Sequence, residues 1–324
     1  VPFKKCDQMI FPRIKFSKFG KMTDRLAAMS ILLTVVEAGS LSAGARVLRM
    51  PIATVSRRVA ELETALGAQL LLRSARGLSL TDTGAAYLEA CRRILEDVAE
   101  AERAASGEFL APKGLLRMTA PIVFGRLHVL PVVIAFLQAF PQVDIKLEQG
   151  DGNVSLQEEQ LDLAVRIGSL PDSSLRARRL GEVRYVVCGS PAYLDTTGRP
   201  GVAEDLSDHA CITFGNLMAP DRWRFGTGRH ERQVPVRTRM TVNTAEAAIE
   251  AAAAGLGLTR VLSYQVAQQV RDRKLEVVLQ QEEPEPWPVN LVYEGGGPVP
   301  QKLRAFIDFA APRLEAALIR ATLP

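Results

Sequence analysis

Across residues 23–38 the apolar side chains Leu26, Met29, Leu33 and Val36 recur at helical spacing, and Gly39 ends the run; the pattern predicts one core-facing helix. Ser42 reads as the N-cap of a second, short helix over residues 43–49, where Ala43, Gly44 and Ala45 permit close helix approach. After a turn at Met50-Pro51, with Pro51 suited to a helix's first turn, Val55, Val59, Leu62 and Leu66 fall within about 40° of one another and form a buried stripe. On the same wheel Arg57 lies about 160° from the stripe's centre, with Ala53, Thr54 and Glu61 around it and Arg58 at its flank. Helix, turn and a second helix with small and basic residues outward is a geometry that enters the DNA major groove. The same pattern also fits a plain helical pair with a solvated arginine.

Further on, Leu70-Leu71-Leu72-Arg73 and Leu78-Ser79-Leu80 read as two strands around Ser74-Ala75-Arg76-Gly77, a hairpin carrying Arg73 and Arg76 near its tip. Thr81-Asp82-Thr83-Gly84 then opens a long helix. Its Tyr87, Cys91, Ile94, Val98, Ala101 and Ala105 keep a 4-3-4-3-4 spacing, a seam that asks for a partner helix, from this chain or a second copy. Past Ala111-Pro112-Lys113-Gly114, strand-like stretches (residues 115–119, 143–148, 161–167) alternate with a helix over 124–140, the signature of parallel βα units. A strand-rich run (175–189) leads to a second region with strands at 211–214 and 234–242 and a helix at 245–254. A strand at 289–293 and a helix at 302–319 complete the chain.

At 324 residues, two or three units are allowed. With 47% hydrophobic and 23% charged residues, a disordered or collagenous chain is excluded. The net charge of +4 is unevenly placed: residues 1–21 carry six Lys/Arg and one Asp, residues 22–80 seven Arg and four acids, residues 81–108 three Arg and seven acids. Beyond that the charges balance, so only the N-terminal part is basic. Residues 1–21 have no apolar core of a signal peptide and read as a leader outside the fold, the alternative being a basic arm on DNA. The most apolar stretch, residues 127–140, contains His128, Pro131 and Gln138 and is shorter than the ~20 residues of a spanning helix, so no membrane segment is expected. Cys6, Cys91, Cys188 and Cys211 are scattered and none of the three histidines has zinc-ligand spacing. A cytoplasmic protein without metal or cofactor is therefore expected.

Several motifs carry a resemblance. Val35-Val36-Glu37-Ala38-Gly39-Ser40-Leu41-Ser42-Ala43, Val55-Ser56-Arg57-Arg58-Val59-Ala60-Glu61-Leu62-Glu63, Leu66-Gly67, Arg73-Ser74-Ala75-Arg76 and Leu80-Thr81-Asp82-Thr83-Gly84 resemble the head of a LysR-type transcriptional regulator. The resemblance continues in Thr119-Ala120-Pro121-Ile122-Val123-Phe124-Gly125, Asp162-Leu163-Ala164-Val165-Arg166-Ile167-Gly168 and Ser190-Pro191-Ala192-Tyr193-Leu194. It implies an all-α winged helix-turn-helix (residues 22–80), a linker and dimerisation helix (81–110) and a two-lobed, periplasmic-binding-protein-like α/β effector domain (111–324). Lobe one would be 115–185 with 284–320, and lobe two 186–283. It assigns DNA contact to Thr54, Ser56, Arg57, Arg58, Arg73 and Arg76, and implies a homodimer or homotetramer. Where the family usually has Ser-Gln-Pro before the recognition core, this chain has Pro51-Ile52-Ala53, so the glutamine's base contact does not transfer.

Ligands of open α/β sheets sit beyond the carboxyl ends of strands. Thr119-Ala120-Pro121, Arg166-Ile167-Gly168 and Asn243-Thr244 fit that position, with Phe214 a weaker member. Plain helix capping by Thr119 and Thr244, and ion pairing by Arg166, are the alternatives. The effector expected there is a small anionic or polar metabolite. The competing reading is an enzyme or solute-binding protein on the same body. No G-x-x-x-x-G-K-[ST], G-x-S-x-G or H-E-x-x-H motif supports catalysis, and no catalytic residue is assigned.

Overall fold

The first helix turns a different side inward from the one its spacing marks. In the computed structural model, which describes residues 19–74, 77–106, 111–152, 155–170, 175–214, 222–295 and 299–323, the head is built from α1 (Phe19–Glu37), α2 (Leu41–Leu48), α3 (Ile52–Leu66), the antiparallel pair β1 (Leu71–Ser74) and β2 (Gly77–Leu80), and α4 (Asp82–Ser106). Helix α1 thus begins three residues inside the stretch read as leader. It buries Ala28, Met29, Ile31, Leu32 and Val35, while Leu26, Leu33 and Val36 are only half-covered. Three neighbours cause the difference: α2, α3 and α4 all pack on α1, so its covered arc is broad and centred near Leu32.

Helix α2 is capped by Ser40, not Ser42; Ser40 Oγ accepts the Ala43 N–H at 3.1 Å. Gly44 faces α1 so closely that a Cβ there would sit 2.8 Å from Val35 Cα. Val55, Val59 and Leu62 of α3 are buried as the stripe requires, and Leu66 is half-covered. Three segments meet at Leu70. Glu63 Oε1, near the end of α3, accepts the N–H groups of Leu70 (2.7 Å) and Leu71 (3.0 Å). Thr81 donates its N–H to the Leu70 carbonyl at 3.0 Å and its hydroxyl to the Gln69 carbonyl at 2.8 Å. The same hydroxyl accepts the Gly84 N–H at 2.9 Å, capping α4.

The chain divides into two compact units, residues 1–110 and 111–324. The second holds β3 (Gly114–Ala120), α5 (Ile122–Phe124), a π-helical stretch Gly125–Val129, α6 (Leu130–Ala139), β4 (Val143–Gln149), β5 (Leu163–Ile167) and β6 (Leu175–Val183). Next come β7 (Tyr185–Gly189), α7 (Pro191–Thr197), β8 (Ala210–Phe214), β9 (Arg222–Phe225), β10 (Arg232–Pro235), β11 (Arg237–Val242) and α8 (Ala245–Ala253). The last elements are β12 (Leu258–Leu262), α9 (Ser263–Arg271), β13 (Glu276–Val278), β14 (Trp287–Glu294) and α10 (Gln301–Arg320).

Two five-stranded sheets form two lobes, ordered β4-β3-β5-β14-β6 and β11-β8-β12-β7-β13. Both are mixed: the expected parallel units are present in the pairs β3–β4, β3–β5, β8–β11 and β8–β12, beside antiparallel pairs. Strand β14 runs antiparallel to β5 and β6, and β7 antiparallel to β12 and β13. The cause is connectivity: β6 runs on through Arg184 into β7 and β14 returns from the second sheet, so neither takes its direction from a helical crossover.

The helical run from Ile122 to Ala139 is long and apolar enough to cross a membrane by composition alone, longer than the stretch read from sequence because it starts earlier. Val123, Phe124, Val129, Val132, Val133 and Phe136 are nevertheless buried within this domain, as in a core helix. The expected strand over 234–242 is two, β10 and β11. Strands β9, β12 and β13 and helix α9 are additions to the elements that the sequence pattern predicts.

Candidate nucleic-acid interface and effector cleft

Because the inward stripe of α3 is fixed by Val55, Val59 and Leu62, the opposite side carries Arg57 into solvent with 67% of its side chain exposed. Its Nε lies 3.8 Å from Glu61 Oε1, and Arg58 Nη1 lies 3.6 Å from the other Glu61 oxygen. Between exposed groups such a pair contributes about 0–1 kcal/mol, so Glu61 orients Arg57 without withholding it from a stronger anion. Thr54 and Ser56 are half-buried beside them. In the hairpin Arg73 stands opposite Leu78; its side chain, and the whole of Arg76, lie outside the described residues.

The seam on α4 splits. Cys91 is fully buried and Tyr87 packs against the head's own core, its hydroxyl pushed up to about 12 by burial. Cys91 is covered within the chain where α4 packs on α1, Tyr87 is half-buried beside it, and Arg92 reaches Glu89 at 2.7 Å and Glu37 at 3.4 Å. This removes Cys91 from the expected dimer seam. Ile94 and Val98 remain half-exposed, and the side chains of Ala101 and Ala105 lie outside the described residues.

In the second unit, Thr119 and Ala120 are buried at the carboxyl end of β3, and Pro121 leads into α5, whose Ile122 N–H is accepted by Asp151 Oδ1 at 3.0 Å. Arg166 ends near them on the adjacent β5; its Nη1 donates to the Gly152 carbonyl at 3.1 Å, and burial lowers its pKa. Gly168, at φ +110°, lies where a Cβ would meet the Trp287 ring at 3.2 Å. On the second sheet Phe214 and Val242 pair at the ends of β8 and β11, so Phe214, Asn243 and Thr244 share one end. Thr244 caps α8, its hydroxyl accepting the Ala247 N–H at 3.3 Å, the bland alternative its type allows.

The lobes meet near this end. Arg126 Nη2 reaches Glu246 in the first turn of α8 at 3.4 Å, and Phe124 and His128 of lobe one pack edge-on against Tyr264 of α9. Sequence reasoning missed Asp151, Tyr185, Arg260, Tyr264 and Trp287. One signal existed: Arg260 interrupts the otherwise apolar Leu258-Thr259-Arg260-Val261-Leu262. The described thiols are not primed for chemistry, since burial pushes those of Cys188 and Cys211 up to about 12. Among the described residues no group of three His, Cys, Asp or Glu is placed to hold a metal ion.

Comparison with known proteins agrees with this anatomy. Residues 26–85 match the bacterial regulatory helix-turn-helix protein, lysR family, and residues 111–315 match the LysR substrate binding domain. An HTH-type transcriptional regulator of Xanthomonas campestris is 36% identical over 297 residues, covering 90% of this chain and 86% of that protein. The regulator CrgA of Neisseria meningitidis is 33% identical, over 88% of this chain and 96% of its own. The solved structure of CrgA superimposes with a TM-score of 0.57 at 31% identity, covering 89% and 98%. Full-length AphB, the Vibrio cholerae virulence activator, gives 0.55 at 28%, covering 88% and 98%. With both domain types matched in order along one chain, this protein belongs to the LysR family of DNA-binding transcriptional regulators, a winged helix-turn-helix with its linker helix followed by a two-lobed effector-binding domain.

Proposed function

We propose that α3 is the recognition helix, with Arg57 reading base edges, Thr54, Ser56 and Arg58 positioned beside it, and Arg73 and Arg76 of the hairpin on phosphates. The observation that carries this is Arg57 itself, an exposed guanidinium opposite a fixed buried stripe and, among the described residues, paired only with an exposed carboxylate. The cleft end bearing Thr119, Ala120, Pro121, Arg166, Gly168, Phe214, Asn243 and Thr244 takes a small anionic or polar metabolite. Tyr87, Ile94, Val98, Ala101 and Ala105 of α4 form the seam between copies in a homodimer or homotetramer, which works in the cytoplasm alongside its DNA.

The test is binding of the full-length protein to the duplex flanking its own gene and to a scrambled duplex, each at two salt concentrations, with sedimentation of the free protein alongside. The expected result is a sequence-preferring complex that weakens steeply with salt, formed by an even-numbered assembly. A folded monomer with no preference for any flanking duplex would refute the reading.

A further inference from the structure

Arg260 is 8% exposed, at the middle of β12 and opposite Val187 of β7. Its guanidinium carbon stands 4.3 Å from the ring centre of Tyr185 and 5.9 Å from that of Phe225. Among the described residues no carboxylate pairs with it and no hydrogen bond engages its donors, in contrast to the better-exposed arginines of this domain. Arg184 meets Glu283 at 2.8 Å, Arg199 meets Glu276 at 2.8 Å, and Arg232 meets Glu204 at 2.9 Å and Glu282 at 2.8 Å. A second guanidinium, Arg224, acts electrostatically on Arg260, and its own Nε is buried without a hydrogen bond and lies 3.5 Å from Glu231. Burial lowers the Arg260 pKa to about 10.

A guanidinium largely buried is costly unless it is paired and its donors are met. Ring stacking covers the face of the group and returns only part of that; the edge, where the donors form a fork, is what a planar oxyanion fits. The surroundings define the anion. Arg260 and Arg224 against Glu231 leave one net positive charge, and Asp151 of lobe one acts on the neighbouring hydroxyls of Tyr185 and Tyr264, which opposes a dianion. Tyr185 and Trp287, half-buried and meeting edge-on at 4.9 Å, offer apolar surface. These two residues open β7 and β14, the strands entered at the two crossings between the lobes.

We infer that Arg260 anchors a small monocarboxylate with an apolar body, held between Arg260 and the Tyr185–Trp287 pair at the crossings between the lobes. The inference rests on the effector reading above and specifies the chemical class and the anchoring residue. It is tested on the full-length protein with benzoate, cyclohexanecarboxylate and pentanoate as probes, and benzamide and inorganic phosphate as controls. Thermal midpoint and tryptophan fluorescence are read for wild type, R260K and R260M. At least one carboxylate should raise the midpoint and change the emission, with benzamide and phosphate inert. R260M should bind that carboxylate at least tenfold more weakly, R260K in between. Without ligand, R260M should melt no lower than wild type, because it loses an unpaired charge; an arginine with a purely structural role would give a lower midpoint. Equal carboxylate binding by R260M, preference for phosphate, or no response of wild type to any of the three carboxylates would each overturn the proposal. Sequence-preferring DNA binding by wild type, measured separately, reports on the regulator reading alone.

Discussion

Replacing Arg57 by alanine separates recognition from stability more cleanly than other changes in the head. Its side chain is 67% exposed and its ion pair to Glu61 at 3.8 Å joins two solvated groups. Removing it should therefore change folding stability by no more than about 0.5 kcal/mol. A guanidinium forked onto guanine contributes about 1–3 kcal/mol of discrimination, which is roughly a 5- to 150-fold loss on the preferred duplex. On scrambled duplex only one phosphate-range charge is lost, so the decrease should stay within a few-fold. Fluorescence anisotropy at two salt concentrations measures both, with chemical denaturation of the variant as the control for folding. Equal losses on the two duplexes would sink the readout role and leave Arg57 a backbone contact.

Arg76→Ala should weaken binding to all sequences by a similar factor and lower the salt slope by about one, as seen in titrations against ionic strength. Gly84→Ala would place a methyl group 2.1 Å from the Leu70 carbonyl oxygen, and backbone on both sides resists the shift. The head should lose about 1–3 kcal/mol, read as a lower denaturation midpoint, even though alanine is the better helix former. His128, packed among Phe124 and Tyr264 and near the Arg320 charge, has its pKa lowered from 6.5 by burial. The unfolded chain then binds the proton first, so stability is steady above about pH 7.5 and falls as pH drops through 6.5, by at most about 1.4 kcal/mol per unit from this group. His209 shifts the same way, so denaturation across pH should flatten partly in His128→Phe and further when His209 is also replaced.

The head is legible wherever one period persists along an element. The stripe of α3 and the strand pairing of the hairpin both follow from local pattern, since the buried residues of α3 stay on one line at helical spacing. Helix α1 is not, because three neighbours cover it and apolar content no longer marks a single line. Ser40 and Ser42 both have capping side chains; which one caps depends on where α1 releases the chain, and that is tertiary information. In the second unit, strands joined through helices are readable, whereas β7 and β14 are fixed by the crossings between sheets. The alanine-rich composition of α8 runs on through Ala254-Gly255-Leu256-Gly257 and blurs the start of β12, which hides Arg260 with it. Burial of that arginine is visible only once β7 and the β9–β10 hairpin are laid beside it.

The junction at Leu70 has a mechanical consequence. The end of α3, the first hairpin strand and the start of α4 share hydrogen bonds through Glu63, Leu70 and Thr81, so they form one stiff piece. Helix α4 extends from that piece as a rod of 25 residues, about 37 Å long. A lever of that length converts a tilt of about five degrees at the junction into a displacement of about 3 Å at the far tip, and the reverse holds with equal gain. Small rotations imposed on α4 are thus passed to α3 through the hydrogen bonds at Leu70.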